Sequence, residues 1–463
     1  MALSATQVWE VRTTGNAANS GGFNSAAAGT DRTLQDAPHV IIDGVTITAT
    51  VNAVTTDLDI VGYATGAADV GNTIRITGGT MTAGTYQIDS IVAGRWRLDR
   101  SAGTAGQTGT GRMGGAQSDP ALVAAVTVGT NTIWIKSGVY LFTSATQNVA
   151  GGCISTPVGA QVWQGYQTTR GDFGTPPILR ASGINTATLF ALSQNDGKLF
   201  NVEVDGQLLV AIRGIDATGR ATLINCYARN CTNSGIRSSS TSTAAIMCGV
   251  TGCTTAGAAF LDAGGGVQGT FYGCWARGNT VTGFSLSGYF AHRCISASNT
   301  GATSDGFVVG SNVVIADCTA YGNGRDGIRS VGINGTRYIN CLSEANVGAG
   351  FNFTGSGTNL MMLTCATFGN GASISGTAPL LNRNFVIGTA SFFVAPAAGN
   401  FALNTTVGGG GAVRQNATPS SFIDGLTLSY ADRGPVQTTG NPSEGGTGGG
   451  TLTVGIGGSY VNR

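Results

Sequence analysis

The sequence contains few charged residues and few of the residues that favour helices. Among 463 residues there are 24 Lys and Arg and 23 Asp and Glu, and only two of these are lysine and four glutamate. Glycine, at 75 residues, takes their place together with many Thr, Ser, Asn and Val, which favours short strands and turns over long helices. With 10 prolines and no three-residue glycine period, collagen is excluded. We therefore predict an all-β fold.

Other absences restrict the function. The net charge of +1 offers no electrostatic footprint for nucleic acid or an anionic membrane, so we expect neither as a partner. No apolar run is long enough for a transmembrane helix, and MALSATQVWEV lacks the features of an export signal. The two histidines and the cysteine spacing match no zinc motif, so we expect no metal and no cofactor. The ten cysteines are predicted to be thiols.

A repeat of about 23 residues dominates the second half of the chain. It reads apolar-x-Cys-x4-Asn/Cys-x3-Gly-Ile/Phe, as in IADCTAYGNGRDGI. Its cysteines are Cys226, Cys248, Cys274, Cys294, Cys318, Cys341 and Cys365. Its asparagines are Asn279, Asn299, Asn323, Asn346 and Asn370. A period of this length indicates stacked supersecondary units.

Each unit has room for two or three short strands and turns, which predicts one rung of a right-handed, single-stranded parallel β-helix. Rungs stacked about 4.8 Å apart place equivalent side chains above one another. The cysteines are then expected to form an internal ladder, and Phe284, Phe307, Ile328 and Phe351 a second internal column. The asparagines are expected to satisfy turn backbone groups from rung to rung.

Three cysteines lie outside this ladder. Cys231 and Cys253 occupy the asparagine position in consecutive rungs, so we predict that they are stacked neighbours and a candidate disulfide. Cys153 belongs to no column and is the candidate for an intermolecular link, against the alternative of a buried thiol.

Composition divides the chain into four parts. Residues 1–45 are expected to form an irregular N-terminal arm and cap, and residues 46–118 a small β-domain or insertion with short strands between glycines. The parallel β-helix is assigned to residues 119–400. Residues 401–463 are expected to form a C-terminal cap and a Gly-rich tail.

Several phrases together resemble the right-handed parallel β-helix proteins of tailed bacteriophages. They are VWEVRTTGNAANSGGF, DVGNTIRITGG, TIWIKSGVY, GYQTTRGD and the ending NFALN with DRGPVQ. The resemblance implies a virion protein and a pectate-lyase-like fold. Capsid decorations, head appendages and tailspikes share this architecture, so the resemblance does not decide between these functions. It also implies a homotrimer.

Glu203 and Asp205 form the one candidate acid pair within a single strand, because alternate residues of a strand share a face. They are followed by a Gly turn and flanked by Asn201 and Gln207, so we expect water to reach both. On that basis Glu203→Gln and Asp205→Asn are predicted to leave function intact. The run 325–329 (Arg-Asp-Gly-Ile-Arg) has the residue types of a lyase site but coincides with a turn.

A sugar-stacking face is a further candidate. The aromatic residues that could form it are Trp163, Tyr166, Trp275, Tyr289 and Tyr321.

From these observations the sequence favours a non-enzymatic structural protein on the virion surface, made in the cytoplasm of the host bacterium. Its expected partners are capsid, neck or tail proteins. The alternative is a tailspike-type protein that binds or degrades polysaccharide, with a host surface glycan as partner.

Overall fold

The computed structural model describes most of residues 3–413. The ranges and positions left out within it are 43–46, 53, 157–158, 186, 194, 240–241, 256, 263–268, 289, 333, 356–358 and 377–380. Of the predicted C-terminal cap and tail, residues 414–463 lie outside the described residues.

Three long sheets enclose one core, and from Val162–Tyr166 onward each turn of the chain adds one parallel strand to each sheet. We number them in the order in which a turn visits them. Sheet 1 consists of Gly22–Asn24, Gln7–Val11, Thr132–Lys136, Val162–Tyr166, Gly197–Phe200, Ala221–Ile224, Thr243–Ile246, Thr270–Tyr272, Phe290–His292, Val314–Ala316, Arg337–Ile339, Met361–Leu363 and Leu381–Arg383. All its pairings are parallel except that of Gly22–Asn24.

The strands of sheets 2 and 3 also follow one another in chain order. Sheet 2 consists of Val139–Phe142, Ile178–Ala181, Glu203–Asp205, Tyr227–Arg229, Gly249–Thr251, Trp275–Arg277, Ile295–Ala297, Thr319–Tyr321, Leu342–Glu344, Ala366–Phe368 and Val386–Ile387. Sheet 3 consists of Ser144–Gln147, Gly152–Ser155, Thr188–Leu192, Arg213–Ala217, Ile236–Ser238, Ala258–Asp262, Thr282–Leu286, Phe307–Val309, Ile328–Ser330, Ala349–Phe353 and Ala372–Gly376. The predicted parallel β-helix is confirmed.

The repeat becomes stacked columns. All seven ladder cysteines are completely buried. The Asn323 side-chain amide donates to Asn346 Oδ1 at 2.8 Å, and the Asn323 backbone N–H donates to the same oxygen at 3.0 Å. The other asparagines repeat this pattern from Asn279 to Asn370. The Phe284 and Phe307 rings stack with centroids 4.8 Å apart. From Asn299 to Asn370, the side-chain oxygen of each asparagine thus accepts hydrogen bonds from the backbone N–H and the side-chain amide of the asparagine one rung earlier.

The N-terminal region is more regular than the sequence suggests. Gln7–Val11 pairs in parallel with Thr132–Lys136 and so forms the first strand of sheet 1 within the predicted irregular arm. The short helix Pro120–Ala124, N-capped by Asp119, follows the small β-domain. That domain is an antiparallel sheet of Val40–Ile41, Gly109–Met113, Thr73–Gly79, Gly84–Val92, Arg95–Leu98, Thr55–Ile60 and Ile47–Asn52.

Near the C-terminus the chain folds back over the β-helix. The hairpin Phe393–Ala395 and Asn400–Leu403 is followed by the short helix Gly410–Val413. We call residues 391–403 the strap. Phe392, Phe393, Phe401 and Leu403 of the strap pack on apolar residues of the outer face of sheet 2, from Ile295 to Val386.

Candidate functional site

The outer face of sheet 2 carries the acid pair. Val204 points into the core, so Glu203 and Asp205 lie together on the outside, as the alternation predicts. In the neighbouring rungs Arg180 and Arg229 lie on either side of Asp205. Three successive rungs therefore build one charged cluster.

Asp205 is held firmly in this cluster and is only 1% exposed. Its carboxylate accepts hydrogen bonds from Arg180 Nε at 3.1 Å, from Asn230 Nδ2 at 3.1 Å and from Gln207 Nε2 at 2.6 Å. Arg229 Nε lies 3.2 Å away. Burial acts to raise the pKa of Asp205, but the hydrogen bonds from Asn230 and Gln207 and the charge of Arg229 outweigh it, so the pKa lies below its usual value.

Glu203 has the opposite environment. Its Oε1 lies 2.8 Å from Arg229 Nε, but no donor is aligned to form a hydrogen bond to this buried oxygen. Burial raises the pKa of Glu203, and the charge of Asp205 adds to this although Arg229 opposes it. Glu203 is thus the carboxyl group of the pair that retains a proton more readily.

The two carboxyl groups lie close together. Both approach Arg229 Nε, at 2.8 and 3.2 Å, so these two oxygens are at most about 6 Å apart. Opposite pKa shifts in two neighbouring carboxyls separate a group that keeps its proton, here Glu203, from one that stays ionised, here Asp205. The expectation that water reaches both acids is wrong, because the arginines of adjacent rungs and Gln207 cover Asp205.

An aromatic platform lies on one side of this cluster. Tyr227 and Trp275 are half-buried, with ring centroids 6.2 Å apart at an angle of 42°. Gly249 lies between them in the sheet. A Cβ atom at Gly249 would lie 2.2 Å from the Trp275 ring, so the absence of a side chain lets the indole lie across this rung. Among the described residues, Trp275 is the predicted sugar-stacking residue on the open part of the face that carries the acids, three strands from Glu203.

Apolar residues and the strap bound the rest of the face. Leu141, 55% exposed, pairs in register with Arg180, and Ile178 lies beside Glu203. At the other end Arg277 Nη2 donates to the backbone oxygen of Ala397 in the strap at 2.9 Å. The open part of the face therefore runs from Leu141 to Arg277, with the carboxyl pair between apolar and aromatic surface.

The other predicted aromatic residues lie elsewhere. Trp163 and Tyr166 are buried. Tyr321 packs against Phe393 and Phe401 of the strap. Tyr289 lies outside the described residues.

The turn 325–329 is held by Asp305, which is buried. Arg325 Nε and Arg329 Nε donate to its carboxylate at 2.6 and 2.7 Å. The charges of these two arginines are therefore paired with the Asp305 carboxylate within the turn.

The cysteines outside the ladder are all buried, and none of them forms a disulfide. Cys231 and Cys253 are free thiols without exposed surface. Cys153 is also fully buried, and burial raises the pKa of its thiol to about 12. The burial of Cys153 supports the alternative of a buried thiol over an intermolecular link, because a second chain has no access to the sulfur.

Sequence reasoning missed Arg180 and Arg229. The signal was the rung spacing: these residues lie about one period before and after Asp205. Among the described residues, no group of three or more His, Cys, Asp or Glu is placed to hold a metal ion. In the part of the chain that the structure describes, no helix has the length and apolarity needed to cross a membrane.

No protein-family model and no curated protein matches this sequence. Among solved structures it is similar to the mannuronan C-5 epimerase AlgE4 A-module of Azotobacter vinelandii, at 14% identity and TM-score 0.41 over 56% of this chain and 80% of that one. Pectate lyase Pel9A is similar at 14% identity and TM-score 0.40, over 70% of this chain and 92% of that one. ORF18 of Geobacillus virus E2 is similar at 10% identity and TM-score 0.37, over 56% of this chain and 54% of that one. These similarities concern the fold.

The comparison contradicts the prediction that the chain is not an enzyme. The solved β-helix structures that it resembles include an epimerase and a lyase.

Proposed function

We propose that this chain is a tailspike-type β-helix protein that binds a bacterial surface polysaccharide and cleaves it on the outer face of sheet 2. The observation that carries the proposal is the pair Glu203 and Asp205, with pKa values shifted in opposite directions at a separation of at most about 6 Å. The neighbouring Trp275 and Tyr227 offer ring faces on which a sugar can stack.

Each residue has a distinct task in this proposal. Glu203 donates its proton to the glycosidic oxygen as the bond to the anomeric carbon breaks. Water then adds its hydroxyl group to that carbon, and the second proton of the water restores Glu203. Asp205 is a positioning residue, because its oxygens are occupied by Arg180, Gln207, Asn230 and Arg229. It keeps the two arginines in place.

The arginines are suited to hold the substrate. The Arg180 and Arg229 side chains remain 31% and 35% exposed while anchored through Nε. A guanidinium group presents donors in a fixed fork that matches carboxylates and sugar hydroxyls.

A location on the virion surface belongs to the same proposal. It is supported by the phrases that resemble tailed-phage β-helix proteins, and it makes other virion proteins and a host surface glycan the expected partners. Synthesis in the host cytoplasm follows from the same origin.

The test is cleavage of purified capsular and lipopolysaccharide material from a panel of bacteria, followed by reducing-end release and loss of polymer size. The full chain is expected to cleave at least one of these polymers. Glu203→Gln is expected to lower the rate about 100-fold or more while binding persists.

Asp216→Asn is the matched control. Asp216 is a buried carboxyl on sheet 3 that is paired with Arg237 and whose pKa is also raised by burial, so it shares the environment of Glu203 without its location. Retained cleavage in Asp216→Asn supports the assignment. Equal cleavage by Glu203→Gln and the unmodified chain, or no cleavage of any polymer by the unmodified chain, would overturn it.

A further inference from the structure

The outward residues of sheet 2 form two rows, because neighbouring strands pair in register. One row consists of Val139, Ile178, Glu203, Tyr227, Gly249 and Trp275. The other row runs from Leu141 to Arg277 and holds the charged groups around Asp205. Glu203 is the one charged residue of its row. It has aromatic rings on one side and aliphatic side chains on the other.

The aliphatic side of this row is open to solvent. Val139 and Leu141 are 42% and 55% exposed, and Ile178 is partly exposed. Ile178 pairs in register with Val139 and with Glu203, so the aliphatic surface begins one strand, or ~4.8 Å, from the acid. Adjoining apolar side chains at the edge of a charged site form a surface that can bind the apolar parts of a ligand.

An exposed aromatic ring lies in the loop that leads into this surface. Residues 167–177 connect sheet 1 with Ile178 of sheet 2, and Phe173 in this loop is 57% exposed. Among the described residues, no other Phe, Tyr or Trp is as exposed. The loop ends against the strand of the acid, because the Glu203 backbone N–H donates to the backbone oxygen of Pro177 at 2.9 Å.

Hydrogen bonds hold this loop on both sides of Phe173. The carboxylate of the preceding residue, Asp172, accepts from three backbone N–H groups of the same loop at 2.5–2.8 Å. The backbone oxygen of the following residue, Gly174, accepts from Asn201 Nδ2 at 3.2 Å. The ring is therefore presented by a backbone that is already ordered, and binding to it loses little conformational freedom.

We propose that the aliphatic side chains and this ring form a subsite for a methyl-bearing sugar unit next to the bond that Glu203 cleaves. We call this set, Val139, Leu141, Phe173 and Ile178, the apolar subsite. The inference rests on the proposed function, since it extends the same polysaccharide across the same sheet. Two kinds of sugar supply such a methyl group, a 6-deoxyhexose and an acetylated sugar.

The chemistry of the apolar subsite favours a methyl group over a hydroxyl group. A hydroxyl group placed on aliphatic side chains gives up hydrogen bonds with water and receives none in return. A methyl group in the same position removes apolar surface from water, and the Phe173 ring offers a surface for the C–H face of the sugar. We therefore expect a preference of about five- to tenfold for the methyl-bearing sugar of a matched pair.

The test is a titration of the full chain with matched methyl glycosides, followed by saturation-transfer NMR. Methyl α-L-rhamnoside and methyl α-L-mannoside differ only in the C6 hydroxyl group, whereas methyl β-D-N-acetylglucosaminide and methyl β-D-glucoside differ in the acetamido group. We expect the methyl-bearing member of at least one pair to bind about five- to tenfold more tightly, with the strongest saturation on its C6 methyl or acetyl protons. The pair that shows the preference identifies the source of the methyl group.

Phe173→Ala and Val139→Thr test the location of the subsite. Both positions are exposed, so both variants are expected to fold, which circular dichroism checks. Phe173→Ala is expected to weaken binding of the preferred glycoside about fivefold, and Val139→Thr, which replaces a methyl with a hydroxyl group, to lower the preference about twofold. Phe290→Ala is the matched control, since Phe290 is a partly exposed ring on the outer face of sheet 1, and it is expected to change neither value.

Equal affinity for the two members of both pairs would overturn the proposal, and so would equal losses in Phe173→Ala and Phe290→Ala. Binding of these glycosides does not require cleavage, so the subsite and the cleavage are tested separately. A methyl preference that depends on Phe173, in a chain that cleaves no polymer, would support the apolar subsite and overturn the cleavage. Cleavage of a polymer without any methyl preference would support the cleavage and overturn the apolar subsite.

Discussion

Sheets 1 and 2 are built from the same repeat and present opposite surfaces. The central rungs of sheet 1 expose Ile224, Ile246 and Phe290, whereas sheet 2 exposes Arg180, Glu203 and Arg229 at the corresponding outward positions. Behind both faces lie the same kinds of buried apolar columns. The inward positions therefore determine the fold, and the outward positions are free to differ between the two faces.

After Glu203→Gln, the largest effect on the charged face is expected from Asp205→Asn. Loss of the negative charge releases the anchor of Arg180 and Arg229, so both cleavage and polysaccharide binding are expected to fall, by roughly 10- to 100-fold. The variant is also expected to lose about 1–3 kcal/mol of unfolding free energy. Urea unfolding and a binding titration measure the two effects. An unchanged affinity would show that the arginines do not hold the substrate.

The pH dependence of cleavage is the next largest effect. Glu203 acts in its protonated form. Its raised pKa keeps this form populated at pH values above 4.5, the usual pKa of a glutamate side chain. Cleavage is expected to fall about tenfold per pH unit once the pH exceeds the raised pKa. The same shift lowers stability as the pH rises from 4.5 through the raised pKa, because the folded state binds the proton more tightly than the unfolded state. Glu203→Gln should remove this slope from a plot of stability against pH, and an unaltered slope would contradict the assignment.

The fold follows from the sequence because stacking places equivalent residues of the repeat above one another, so the cysteine and asparagine spacing is enough to define the rung. The site does not follow in the same way. Burial raises the pKa of Glu203, and the charge of Arg229, one period away, opposes this rise. The clear repeat begins only at Cys226, so neither the burial nor this partner can be read from it. Within its own strand the acid pair has polar neighbours. The sequence around the pair therefore does not show that arginines from adjacent rungs cover Asp205. The parallel strand Gln7–Val11 is missed because its partner lies more than 100 residues away.

Trp275→Ala is expected to have a moderate effect. Removing the indole deletes the stacking surface beside Tyr227, which is expected to weaken polysaccharide binding about 5- to 10-fold, corresponding to ~1–1.4 kcal/mol. The rate constant for bound substrate should change much less. Trp134→Ala, on the outer face of sheet 1, is the control and should bind polysaccharide normally. Equal losses in both variants would remove the distinction between the faces.

The smallest effect is expected from Gly249→Ala. The new methyl group would overlap the Trp275 ring and force the indole to move, since the unshifted Cβ would lie 2.2 Å from it. We expect a two- to fivefold loss of affinity, smaller than that of Trp275→Ala, with a shift in tryptophan fluorescence. A fluorescence shift without any loss of affinity would show that the position of this ring is unimportant for binding.

The central claim is that the outer face of sheet 2 binds polysaccharide with Glu203 at the point of cleavage. A cryo-EM reconstruction of Glu203→Gln with its oligosaccharide tests this directly. We predict sugar density on sheet 2 between Leu141 and Trp275, in contact with Glu203. Sugar density on the outer face of sheet 1 or sheet 3, away from Glu203, would contradict this account.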